Sequence, residues 1–204
     1  MVGIIDYGLG NINAFANIYY QLKVPFKIIS SKSEVREATK LILPGVGSFD
    51  NAMSLFNKSG LIDEVESQVY DNKVPILGIC VGMQILASKS DEGKSTGLNW
   101  IPGCVKLIDT SLVNHHIKVP HMGWNNVNFV KQNALFSNVE NNSNFYFLHS
   151  YFFECEESSN SIALTSYGNE FTCAVNKNNI YGVQFHPEKS HDQGVKILQN
   201  FSNL

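Results

Sequence analysis

The chain has 204 residues, 44% of them hydrophobic and 16% charged, and a formal net charge of −3. That length suffices for one sizeable domain with a proper core, and the composition excludes a disordered, collagen-like or proline-rich chain. With no excess of positive charge, and with lysines scattered rather than gathered into a stripe, nothing offers an electrostatic footprint for nucleic acid.

From the N-terminus, short apolar runs alternate with helix-like stretches: a strand over 2–5, a helix over 11–22, a strand over 26–29, a helix over 33–38, then apolar runs at 41–43 and 75–79. Met1 to Asp6 lacks the basic segment of a secretion leader and reads as the first core strand. Strands separated by helices predict an open, mostly parallel α/β sheet covered on both faces, whose ligands sit at the carboxyl ends of the strands. The most apolar window, 74–83, has about half the roughly twenty residues that a membrane helix needs, so no membrane is expected. Between about 102 and 184 the pattern changes to short β-like runs at 105–108, 144–153, 162–166, 172–175 and 180–185, an antiparallel extension of the sheet. A helix over 193–201 closes what reads as one domain, 1–204.

Cys80, Cys104, Cys155 and Cys173 form no CxxC pair, which argues against a zinc site or a dense disulfide framework and for the reducing cytoplasm; no metal or cofactor is expected. Arg36 is the single arginine, so arginine forks will not dominate any anion site.

Three strand ends carry chemistry. Gly78-Ile79-Cys80-Val81-Gly82 is the thiol form of a nucleophile elbow, in which flanking glycines tolerate a strained strand-to-helix turn. A helix starting at Val81 would place the Cys80 sulfur at its N-terminus, favouring thiolate, with the Val81 N–H as an oxyanion donor. Alone, such a cysteine reads as core. His186-Pro187-Glu188 alters that: a thiol needs a base and the base needs an orienting acceptor, and His186 and Glu188 supply both in one turn. The Pro44-Gly45-Val46-Gly47 loop, which lacks the Lys-Ser/Thr of a phosphate loop, offers the Gly47 N–H as the second oxyanion donor. The three unreactive cysteines are expected in the core.

These motifs resemble the class I (triad) glutamine amidotransferases. Within that family six blocks are similar to the glutaminase subunits of imidazole glycerol phosphate synthases: Asp6-Tyr7-Gly8-Leu9-Gly10-Asn11, Leu43-Pro44-Gly45-Val46-Gly47, the Cys80 elbow through Gln84, Pro120-His121-Met122-Gly123-Trp124-Asn125, Phe147-Leu148-His149-Ser150-Tyr151 and Gln184-Phe185-His186-Pro187-Glu188-Lys189-Ser190. The resemblance implies that Cys80 attacks the side-chain amide of L-glutamine, His186 shuttles the proton, Glu188 orients His186, and a γ-glutamyl thioester is hydrolysed to glutamate. It implies glutamine contacts from Gln84, Ser150 and Tyr151, while His149, one residue off in the strand, points to the opposite face and is structural.

It also implies a partner, a (β/α)₈-barrel cyclase docking on His121, Met122, Trp124 and Asn125 with Asn11, Tyr146 and Lys189. That heterodimer would join channelled ammonia to a phosphorylated ribosyl-aminoimidazole, yielding imidazole glycerol phosphate and a carboxamide nucleotide in histidine biosynthesis. Without its partner the chain would be nearly idle, its 44–47 loop reoriented by the occupied barrel. Val81, Ile85 and Ser48-Phe49-Asp50-Asn51 depart from the commoner pattern and are similar to a branch that serves amidino-sugar synthesis; a stand-alone γ-glutamyl cysteine hydrolase is a further alternative. His115, His116 and His191 lack ligand spacing and read as surface residues.

Overall fold

The parallel half of the sheet forms where the sequence runs apolar without alternation. β1 (Val2–Ile5), β3 (Lys40–Gly45) and β4 (Ile76–Cys80) are buried along almost their whole length, as strands covered on both faces must be. In the computed structural model, which describes residues 1–109 and 118–204, they are linked through α1 (Ile12–Gln21), β2 (Phe26–Ile29), α2 (Lys32–Glu37), α3 (Phe49–Ser59) and α4 (Ile62–Tyr70). The single turn α5 (Val81–Gln84) follows, then β5 (Lys89–Ser90), β6 (Gly103–Leu107), β7 (His121–Phe129), β8 (Ser143–His149), β9 (Tyr151–Cys155), β10 (Ser161–Tyr167), β11 (Asn169–Lys177), β12 (Ile180–Val183) and α6 (His191–Ser202).

Among the described residues the strand order is β2-β1-β3-β4-β12-β11-β10-β7-β8, with β9 pairing β11 and leading outward to β6 and β5. Pairing is parallel from β2 through β12 and antiparallel from β12 through β8. The chain steps outward from β1 to β2, then back past β1 to β3 and β4. Right-handed crossovers therefore put α1 on one face and α2, α3 and α4 on the other. The contacts agree, since α1 packs with α6 and α2 packs with α4.

Two features were not expected from sequence. Residues 49–70 form α3 and α4, whose buried Phe49, Met53 and Phe56, then Val65 and Val69, recur at helical spacing between polar residues. The apolar run 144–153 breaks at Ser150, because β8 pairs with β7 whereas β9 turns away to pair with β6 and β11. The cysteine expectation also needs correction. Cys173 is core, but Cys104 and Cys155 are half-buried, lying on the β6–β9 layer outside the doubly covered centre.

Register is what builds the site. In β3 against β4, Gly45 faces Cys80; in β12 against β4, Val183 faces Ile79. Three carboxyl ends thus finish level, bringing 45–47, Cys80 and 184–186 side by side. Directly after Cys80, α5 folds back onto β3 so closely that a Cβ on Gly82 would overlap the Leu43 carbonyl. Backbone cannot give way as a flexible side chain can. Gly82→Ala is therefore expected to lower stability by about 1–3 kcal/mol, read as a lower urea midpoint at unchanged slope; an unchanged midpoint would show that this contact is not tight.

Candidate active site

Cys80 closes β4 at φ 54° and ψ −113°, outside the conformations that a side chain ordinarily permits. The helix that follows is one turn long, so the dipole expected from a full helix is reduced to its opening N–H groups. The cysteine is 3% exposed and lines a cavity of about 260 Å³, just under the ~300–1,000 Å³ typical of drug-sized ligand sites. Its sulfur lies 3.8 Å from the Leu148 carbonyl and 3.7 Å from Gln184 Nε2.

His186 lines the same cavity, and its Nδ1 donates to Glu188 Oε1 at 2.8 Å, with both side chains 3% exposed. Because Nδ1 is occupied, Nε2 is the ring nitrogen left for the sulfur. The turn is anchored three ways: the His186 N–H donates to the Tyr146 carbonyl at 2.9 Å, the Ser190 hydroxyl donates to the His186 carbonyl at 2.6 Å, and the Tyr146 N–H donates to Ser190 Oγ at 3.0 Å. Burial alone would push the imidazolium pKa down, but hydrogen bonds and charge from Cys80 and Glu188 outweigh it and hold the pKa well above the usual histidine range. A buried acceptor, imidazole and thiol in series can move a proton toward or away from a bound carbonyl compound.

The Gly-rich loop reaches the cavity as expected. Gly47 has φ 93°, a conformation that favours glycine, and lines the cavity with Val46 and Val81. Tyr7 fixes the base of this loop by donating its hydroxyl to the Pro44 carbonyl at 2.7 Å.

A residue the sequence reading missed, Glu92, also lines the cavity. Its carboxylate accepts from the Phe49 N–H at 2.8 Å, while Asp50 reciprocally accepts from the Ser95 N–H at 2.9 Å and the Lys94 N–H at 3.0 Å. Those backbone donors pull the Asp50 pKa down. The clamp joins the start of α3 to a polar loop, and nothing in the local pattern of 88–97 signals it.

Gln84, Ser150 and Tyr151 all line the cavity. The Gln84 side chain is not free to rotate, however, because its Nε2 donates to the Tyr151 carbonyl at 2.9 Å and to Gln184 Oε1 at 3.0 Å. His149 does not point away as strand alternation suggested. It lines the cavity and is 6% exposed, since the strand breaks between β8 and β9 at Ser150 and strict alternation ends there.

The expected docking residues divide by strand parity. Met122 and Trp124 are 65% and 48% exposed on one face of β7. His121, on the other face, is 2% exposed and corrects the expectation: its ring stacks between Phe147 and Tyr167 and presents nothing outward. Asn125 is half-buried and commits its amide to the Ser166 carbonyl and His121. Trp124 stacks on the exposed His191 and meets Tyr146 edge-on, while Lys189 Nζ sits 5.7 Å above the Tyr146 ring. Asn11 is exposed at the N-cap of α1. His115 and His116 lie outside the described residues. Among the described residues, no three histidine, cysteine or acidic side chains gather as metal ligands.

The chain matches the family described as glutamine amidotransferase class-I over residues 3–203. It is 53% identical over 204 residues to imidazole glycerol phosphate synthase subunit HisH of Bdellovibrio bacteriovorus and 50% identical to that of Leptospira borgpetersenii, each over 100% of both chains. A crystal structure of a glutamine amidotransferase superposes with TM-score 0.75 at 17% identity, covering 100% of this chain and 99% of the other. A chain from the structure of PurLQS of Thermotoga maritima superposes with TM-score 0.70 at 18% identity, covering 99% of this chain and 97% of the other. At these identities the superpositions show the fold.

The two buried histidines carry a pH consequence of their own. His149 Nδ1–H donates to the Tyr151 carbonyl at 2.8 Å, so its Nε2 accepts from His121 Nδ1–H at 3.0 Å, and His121 Nε2 accepts from Asn125 at 3.2 Å. Burial lowers the pKa of His121 to about 4, and burial, chiefly, lowers that of His149 to about 3. Unfolded, both bind protons below about pH 6.5, so the native state is disfavoured as pH falls from there toward 4. Wild-type protein should lose stability relative to His149→Gln over this range, by up to about 1.4 kcal/mol per pH unit, measured by urea unfolding; a constant difference would mean that His149 titrates in the folded protein as it does unfolded.

Proposed function

This chain belongs to the class I glutamine amidotransferases, and from that premise we propose that residues 1–204 form one domain, the glutaminase subunit of an imidazole glycerol phosphate synthase. The observation that carries the reading is the meeting of Cys80, on its strained elbow, with the His186–Glu188 pair in one small cavity. Full-length identity of 50% and more to proteins bearing that name supports the specific assignment.

The Cys80 thiolate attacks the side-chain carbonyl carbon of glutamine, and the oxyanion is held by the N–H groups of Gly47 and Val81. Losing either donor would cost about 3 kcal/mol of barrier. His186 Nε2–H protonates the amide nitrogen, the C–N bond breaks, ammonia departs and a γ-glutamyl thioester remains on Cys80. His186 then deprotonates a water that attacks the thioester; the sulfur leaves with its electron pair and glutamate is released. Throughout, Glu188 holds Nδ1 and balances the imidazolium. Gln84, Ser150 and Tyr151 form the substrate wall. Glu92 is the carboxylate beside them that suits the α-ammonium group of glutamine, whereas Glu188 is committed to His186.

Free ammonia would be protonated in bulk water, so its use requires a partner seated over the cavity. Exposed Met122 and Trp124, with Tyr146 edge-on to Trp124, Lys189 over the Tyr146 ring and Asn11 exposed at the N-cap of α1, are the residues we assign to contact with a (β/α)₈-barrel cyclase. Phosphate recognition then belongs to that partner, in keeping with a chain whose single arginine is already paired with Glu64 at 2.6 Å. No described helix is long and apolar enough to cross a membrane. The cytoplasm is the compartment that suits four free cysteines.

Two measurements test this reading. Glutamate release by the isolated chain should be slow and rise about tenfold or more when the barrel and its ribonucleotide acceptor are added, the size of a typical coupling between sites; equal rates would contradict a partner-dependent glutaminase. Glu188→Gln should lower kcat in the complex by roughly 10²- to 10⁴-fold, and unchanged turnover would remove Glu188 from the mechanism.

A further inference from the structure

Gln184 is fully buried, at 0% exposure, two residues before His186. A buried amide is costly unless each of its polar atoms finds a partner. Here the backbone N–H donates to the Cys173 carbonyl at 2.8 Å, Oε1 accepts from Gln84 at 3.0 Å, and Nε2 lies 3.7 Å from Cys80 Sγ, within reach for a bond to sulfur.

The orientation of that amide follows from its neighbours. The Tyr151 carbonyl only accepts, so it requires the nitrogen of Gln84, which is 2.9 Å away. The second proton on the same nitrogen points at Gln184, which must therefore present its oxygen there. Its own NH₂ is then turned toward the sulfur. His149 makes the Tyr151 carbonyl a still firmer reference by donating to it at 2.8 Å.

On its other side the sulfur faces the Leu148 carbonyl at 3.8 Å. A thiol can donate its proton to that oxygen, whereas a thiolate cannot. On the Gln184 side, by contrast, an amide donor meets the sulfur. A donor to the charged form favours that form. We propose that Gln184 is a further catalytic residue, an amide donor that stabilises and aims the Cys80 thiolate and is itself locked by the Tyr151–Gln84 network. This rests on the reading of Cys80 as nucleophile.

The test is the pH dependence of Cys80 alkylation by iodoacetamide on the full chain, quantified by mass spectrometry of the Cys80 peptide so that the other cysteines do not contribute. Gln184→Met keeps the volume and removes the donor. Its alkylation profile should move up by about one pH unit, a roughly tenfold loss of thiolate below the midpoint. Gln84→Met, which leaves Gln184 in place but removes the partner that orients it, should move the profile the same way by less. If Gln184→Met does not fold, Gln84→Met decides alone. A folded variant whose profile superimposes on wild type overturns the proposal. Cys80→Ser separates the two readings: persistent glutamate release in that variant, assayed with the partner, would refute the nucleophile itself, whereas its loss alongside an unmoved Gln184→Met profile would refute only the role of Gln184.

Discussion

A single backbone conformation organises this protein. Cys80 sits at φ 54° and ψ −113°, a geometry that costs on the order of 1–3 kcal/mol for a residue with a side chain. It persists because β4 is the centre of three parallel strands and is held in register by β3 on one side and β12 on the other. The chain then reverses into α5 through Gly82, whose missing Cβ allows the turn to lie against the Leu43 carbonyl. The sulfur is thereby lifted from the sheet into the cavity.

The residues proposed to work with the sulfur arrive on neighbouring strand ends. β12 ends in the turn that carries His186 and Glu188, and that turn is tied to β8 through Tyr146 and Ser190. β3 ends in the loop of Gly47. The antiparallel strands contribute differently: β8 and β9 supply the wall at Leu148, Ser150 and Tyr151, and β7 turns Met122 and Trp124 outward. The Cys80, His186 and Glu188 cluster on the parallel half and the outward-facing Met122 and Trp124 on the antiparallel half are the two features on which the proposed partner-dependent glutaminase rests. The polar relay from Asn125 through His121 and His149 to Tyr151, and on through Gln84 and Gln184 to Cys80, joins the two halves.

Much of this was legible in the sequence because strained or chemically committed positions announce themselves locally. Cys80 stands between two glycines, and His186 and Glu188 bracket a proline. The apolar runs of β1, β3 and β4 mark a doubly covered sheet. Glu92 was not legible, since what brings it to the cavity is a clamp to Phe49, 43 residues away in the chain. His121 was misplaced on the surface because it precedes exposed Met122 and Trp124. Reading 121–129 as a strand would have put His121 and Asn125 on the opposite face from Trp124. His149 was misplaced for the converse reason, alternation being applied across the junction of two strands that follow different partners.

The central claim is that Cys80 carries the glutamyl group. It is tested most directly by rapid acid quench of the partner-activated protein during turnover with isotopically labelled glutamine, followed by peptide mass spectrometry. A labelled glutamyl thioester on the Cys80 peptide, increased in Glu188→Gln if that variant slows hydrolysis more than acylation and absent in Cys80→Ser, is the expected result. Sustained glutamate release with no label on Cys80 under any quench time, and undiminished in Cys80→Ser, would contradict it.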